Sequence, residues 1–289
     1  MRGDYVPLAG IEASLTQLEA YRNVTQEVGS IAGHMQLALT SISTGASDLS
    51  ASLLAGAFSH SPSRIDSIGF EASQRLQAAM SALNTRMGAK SLFSGVATDN
   101  AAVSDAETMM AALDNVLAGA ISSADVETAL DAWFADPLGF RATVYQGGTT
   151  VPPVSIGRDQ TAQIDVTAQD PAIVATIKGL AMASLLNRGI LDGSDVARAD
   201  LAKRAGESLA AGQSSLADLA ARLGTIEASI VRAGVQNDAE KLALETARLG
   251  LLSVDPYETA ARLQEAQTQL ETLFSITARL SRLSLVNYL

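Results

Sequence analysis

The feature that most constrains this chain is an apolar seam along residues 209–252. Leu209, Leu216, Leu219, Leu223, Ile226 and Ile230 recur at spacings of seven, three and four, the signature of one helix packed along another. No proline or paired glycine interrupts it. Upstream, Asp192-Gly193-Ser194 breaks the chain and Asp195 can cap a start, while Asp255-Pro256 stops the pattern, so one helix can fill the interval. At about 1.5 Å per residue such a helix is roughly 80–90 Å long. Its apolar stripe is narrow, so a second long helix must lie against it, and the expected architecture is elongated. The same register places Asn237 and Glu240 on the seam before Leu244, Ala247 and Leu251 resume it. Two readings stand side by side: a polar residue that fixes register, or a point where the partner helix ends or bends.

Composition narrows the classes further. Of the 289 residues 47 % are hydrophobic, 18 % are charged and only 4 % are aromatic, so alanine and leucine must carry the core. That balance suits closely packed helices better than a sandwich or an aromatic-lined pocket. The 31 acidic residues against 20 basic ones, a net charge of -11, argue against nucleic acid as a partner. With no cysteine there are no disulfides, thiolate metal sites or cysteine nucleophiles, and two histidines leave little for imidazole chemistry. No apolar run reaches the roughly 20 residues that span a bilayer, and no basic segment followed by an apolar one opens the chain. The expectation is no membrane partner and no cleaved secretory signal. This points to the cytoplasm unless export uses a route without that signature.

Taken in order, residues 1–7 form a short lead. A helix then carries Leu8, Ile11, Leu15, Leu18, Val24, Val28, Ile31, Met35, Leu39 and Ile42, weakened at Gly33, Gly45 and Gly56 by about 1 kcal/mol each relative to alanine. Ser59-His60-Ser61-Pro62-Ser63 is the expected break, with a further helix over 65–87. His60 reads as an exposed polar turn rather than part of a nucleophilic pair, and His34 as a satisfied helix histidine. Gly88-Ala89-Lys90-Ser91 falls short of a phosphate loop, for no glycine directly precedes the lysine and no buried strand leads in. The next stretch, Leu92-Phe93-Ser94-Gly95 through Thr98-Asp99, is a chain reversal: Leu92 and Phe93 anchor it and Gly95 permits the turn.

Helical spacing returns over 104–120 and 124–135, with Asp105 and Asp125 placed to favour the helix starts. Trp133 and Phe134 read as a satellite core rather than a ligand shelf, and Asp114 with Glu107 as a solvated face. Between Phe140 and Asp170 the period changes. Ala142 and Val144, then Val154/Ile156 and Ile164/Val166, alternate with glycine punctuation and predict a small antiparallel hairpin turning at Gly157-Arg158-Asp159-Gln160. A helix over 171–186 follows, capped by Asp170 with Pro171 in its first turn. After Asp255-Pro256, the last helix bears Leu263, Leu270, Leu273, Phe274, Ile276, Leu280 and Leu283, then Leu285, Val286 and Leu289. So wide an apolar face predicts a protein–protein interface; the alternative is a terminal helix docked on its own core.

Three of these stretches resemble the flagellin-like family, and within it hook-associated protein 3, the hook-filament junction proteins. The corner Leu92-Phe93-Ser94-Gly95 with Thr98-Asp99 is one. The second is the middle segment, with Tyr145, Gly147 and Asp170-Pro171-Ala172. The third is the tail: Asp255, Glu258, Ala260 or Ala261, Arg262 and Leu263, a shifted Gln269-Leu270-Glu271, and the ending Leu283-Ser284-Leu285-Val286-Asn287-Tyr288-Leu289. The resemblance implies a non-enzymatic axial protein of the bacterial flagellum, without cofactors or metals; the alternatives are a flagellin filament subunit and, in a different class, a secreted binding module or hydrolase, for which no convergent set of polar groups stands out. Such a protein is exported without a cleaved signal and assembled as a ring between hook and filament. Implied partners are a hook-side junction protein, flagellin, further copies of the chain, and a cytoplasmic export chaperone on the C-terminal helix. The chain starts near the family's Gly-Asp-Tyr, at Gly3-Asp4-Tyr5, so the family's N-terminal helix is expected to be missing from it. The expected fold is a mainly α, elongated long-helix bundle of flagellin type with a small antiparallel β insert. Residues 1–98 would make the first half of the rod, 99–190 an outward insert, 191–254 the completing helix and 255–289 the assembly helix.

Overall fold

The computed structural model describes the backbone of residues 6–59, 61–252 and 256–286, and side chains over 7–58, 61–252 and 260–280. The chain is mainly α, with small antiparallel β pairs. In order it forms α1 (Val6–Ser59), α2 (Pro62–Leu83), β1 (Arg86–Met87), β2 (Lys90–Ser91), α3 (Ala106–Val116) and α4 (Ser123–Ala135). Then come α5 (Phe140–Thr143), β3 (Val154–Gly157), β4 (Gln160–Ala162), α6 (Pro171–Ser184) with a 3-10 turn (Leu185–Arg188), α7 (Asp195–Leu252) and α8 (Pro256–Val286). Two compact units result: residues 19–238, and residues 1–18 with 239–289.

Within residues 19–238, α1 and α7 run antiparallel, Gly29 against Ile230 at one level and Ser50 donating a 2.8 Å hydrogen bond to the Gly206 carbonyl at another. The predicted seam is the buried one: Leu209, Leu216, Leu219, Leu223 and Ile230 are all buried, with Ile226 half-buried. Met35, Leu39, Leu49 and Leu53 of α1 join Leu76 and Leu83 of α2 and Ile173 and Ile177 of α6 in the same core. The seam's period thus sets which side of α7 is dry.

Side-chain caps mark the starts of four helices. Asp105 accepts from the Thr108 amide before α3; Ser122 and Asp125 form a reciprocal capping box on α4; Asp170 accepts from the Ala172 amide before α6. At α7 the capping group is the Ser194 hydroxyl, which accepts from the Ala197 amide at 3.2 Å, and Asp195 sits in the first turn instead.

Three expectations shift. Helix α2 ends at Leu83 rather than at Met87, because the Asn84 carboxamide brackets Val103, donating to its carbonyl at 2.9 Å and accepting from its amide at 3.0 Å. Ala142 and Val144 belong to the short helix α5 and its end, since a few alternating residues fit either period. The hairpin turns where expected, at residues 158–159, but β4 is Gln160–Ala162, and Ile164 and Val166 lie beyond it. A register shift between Ser155 and Gly157 bulges β3.

Candidate assembly surface

Helix α8 begins with Pro256 at its first position and runs to Val286. Three of its threonines turn their hydroxyls onto their own helix, Thr268, Thr272 and Thr277 each donating to the carbonyl four residues back. Every side chain from residue 260 to residue 280 is exposed. Leu263 is 61 % exposed, Leu270 53 %, Leu273 59 %, Phe274 70 % and Leu280 62 %. Covering the exposed part of these side chains and of Ile276 is worth roughly 5–10 kcal/mol, and packing of an apolar face is what stabilises most helices in proteins. The side chains of Leu283, Leu285, Val286 and Leu289 lie outside the described residues.

The corner is the opposite case. Leu92 and Phe93 are buried, Phe93 completely. The Phe93 carbonyl accepts from the Ala168 amide and the Ser94 carbonyl from the Gly148 amide, while the Val96 amide donates to Thr149. Gly95 has φ +61°, and a Cβ there would lie 2.1 Å from the Thr149 carbonyl oxygen. One reversal thereby fastens two distant loops. Asp99 is exposed and contributes its backbone carbonyl, which accepts from Arg86 at 3.4 Å.

Charged residues tie the layers of this unit together. Arg188, on the 3-10 turn, donates from Nε to Asp114 at 3.1 Å and from Nη1 to both Glu107 oxygens at 3.0 Å, so the two carboxylates, exposed as a solvated face expects, also hold a cation. The Asp114 hydrogen bond raises the Arg188 pKa most, burial opposes it, and Glu107 adds to the rise. Arg198, itself buried, binds Asp66, Asp192 and the Leu186 carbonyl. The Ser123 hydroxyl and then Arg204 hold the Asp200 carboxyl below its usual range. Trp133, Phe134 and Phe140 pack edge-on and stacked with centroids 5.0–6.4 Å apart against the core, as a satellite core does.

Asn237 resolves the seam question in a way neither reading foresaw. It is buried, and its Nδ2 donates at 2.8 Å to the carbonyl of Ile156 in β3, while Gln160 bonds Gln236 at 2.8 Å. Ile156 and Ala162 then close a small core with Ile230 and Ala233, flanked by Val24, Val28 and Ile226. The hairpin is the third wall of the α1–α7 pair. Glu240 is exposed.

His34 is exposed with Nδ1 2.7 Å from the Ser30 carbonyl, and His60 lies outside the described residues. Among the described residues no three acidic, histidine or cysteine side chains gather as a metal site. No described helix is long and apolar enough to cross a membrane.

Comparison with known proteins places these features. Residues 210–289 match the bacterial flagellin C-terminal helical region. The chain is similar to a structure from Vibrio parahaemolyticus named as a flagellar hook-associated protein, at 15 % identity and TM-score 0.62, over 86 % of this chain and 97 % of that one. It is also similar to the crystal structure of Bacillus cereus FlgL, at 14 % identity and TM-score 0.56, over 84 % of this chain and all of that one. No curated protein sequence matches it. The chain therefore has the long-helix fold of those flagellar structures, and its residues 210–289 match the flagellin C-terminal helical region.

Proposed function

We propose that this chain is a structural, non-enzymatic axial protein of the bacterial flagellum that joins hook to filament. The observation that carries the reading is the uncovered apolar face of α8, with Leu263, Leu270, Leu273, Phe274 and Leu280 exposed inside the segment that matches flagellin. In this reading the buried α1–α7 seam gives stiffness, the corner at Leu92, Phe93 and Gly95 holds the outward segment, and α8 with Leu283, Leu285, Val286 and Leu289 supplies the assembly contact. The partners are a hook-side junction protein on one side, flagellin on the other and further copies of the chain in a ring. An export chaperone covers the C-terminal helix in the cytoplasm, and the place of action is outside the cell.

The match of residues 210–289 to a flagellin model favours one second reading, a filament subunit. Electron microscopy of purified hooks separates the two. A junction protein adds to hook ends and stops there until flagellin is supplied, whereas a filament subunit extends into filaments alone. Failure to bind hooks under conditions where flagellin polymerises would overturn the first reading.

A further inference from the structure

Between α2, α3 and the 3-10 turn lies a cavity of about 230 Å³, open to solvent. It is smaller than the roughly 300–1,000 Å³ that drug-sized ligands occupy, which suits one small ring. Phe70 stands on its lining with 59 % of its surface exposed. Gln74 and Gln77 follow Phe70 at four and seven residues, so the three lie on one face of α2. Asn187 and Arg188 face them from the 3-10 turn and Glu107 from α3, over a floor made by the buried side chains of Leu76, Ala106 and Met110.

The wall is built rather than incidental. The 3-10 turn reaches α2 only because residue 69 is glycine: a Cβ there would lie 2.9 Å from both the Asn187 amide nitrogen and the Leu186 Cβ. Arg188 is fixed by the four oxygens of Glu107 and Asp114. The carboxamides of Gln74, Gln77 and Asn187 bond no group among the described residues.

The chemistry of this lining selects its ligand. Its two ionised side chains, Glu107 and Arg188, pair with each other, so a charged ligand would have to break that pair. Three uncommitted carboxamides offer both donors and acceptors, and an exposed aromatic ring offers a flat apolar surface. A ligand with several hydroxyl groups around a ring that also has an apolar C–H face meets all three demands. We propose that this cavity binds a neutral pyranose sugar, with Phe70 against its C–H face and the carboxamides of Gln74, Gln77 and Asn187 on its hydroxyls. The sugar is either free or the terminal unit of a glycan.

The test is saturation-transfer NMR on the full chain with the methyl glycosides of glucose, galactose and N-acetylglucosamine, and glucuronate as the charged control. At least one glycoside receives saturation, glucuronate binds more weakly than methyl glucoside, and Phe70→Ala and Gln77→Ala each weaken the complex at least tenfold. Both side chains are exposed, so the melting temperature stays that of the parent and loss of binding is not loss of fold. The glycoside that binds is then compared with a trisaccharide of the same sugar. Tighter binding of the trisaccharide supports a glycan chain as the source, and equal binding supports a free sugar. No saturation of any glycoside, or parental binding in both variants, overturns the proposal.

Discussion

Two stretches of this molecule carry the same apolar pattern and meet opposite fates. On α7, Leu209, Leu216, Leu219 and Leu223 are at most 2 % exposed; on α8, Leu263, Leu270, Leu273 and Phe274 are at least 53 % exposed. Helical periodicity says which side of a helix must be covered, and leaves open what covers it. For α7 the cover is α1, α2, α6 and the β3–β4 hairpin of the same unit. For α8 the proposed function assigns that role to other chains.

Substitutions sharpen this contrast, beginning with the largest effect. Phe93→Ala empties a fully buried site at the corner and lowers stability by about 3–5 kcal/mol, read as a lower urea midpoint. Gly95→Ala forces a side chain into positive φ and against the Thr149 carbonyl, at a cost of about 3 kcal/mol by the same measurement. Asn237→Ala strands the buried Ile156 carbonyl and costs about 2 kcal/mol, and amide exchange quickens first in β3 and β4.

A fourth test uses acid. Asp200 has a folded pKa below its ordinary 3.8, so its contribution to stability is complete above that value and is lost as pH falls through the lower, folded one. Ser123→Ala removes the largest cause of the depression. The melting temperature of this variant falls less between pH 7 and pH 3 than that of the parent. The effect is small because the Asp200 side chain is 41 % exposed. Smallest of all is Phe274→Ala, which changes monomer stability by less than about 0.5 kcal/mol and yet weakens self-association.

Legibility in the sequence follows the same division. The extent of α7 was readable because its stop signals are local: Asp192-Gly193-Ser194 before it and Asp255-Pro256 after it. The caps at Asp105 and Asp170 were readable because a cap bonds within three residues. The polar residue at Asn237 stood out on the seam, but its partner Ile156 lies 81 residues away and no pattern links them. Arg188 was invisible for the same reason, its carboxylates being 74 and 81 residues distant. The apolar face of α8 was legible residue by residue, whereas its exposure depends on what the remainder of the unit does.

The central claim is that α8 is an assembly surface. Light scattering on the full chain and on the same chain ending at Val254 tests it most directly. The account predicts that the full chain associates as concentration rises and that the shortened chain is a monomer of undiminished stability. Two monomers, with the shortened one less stable, would contradict it and make α8 part of the molecule's own core.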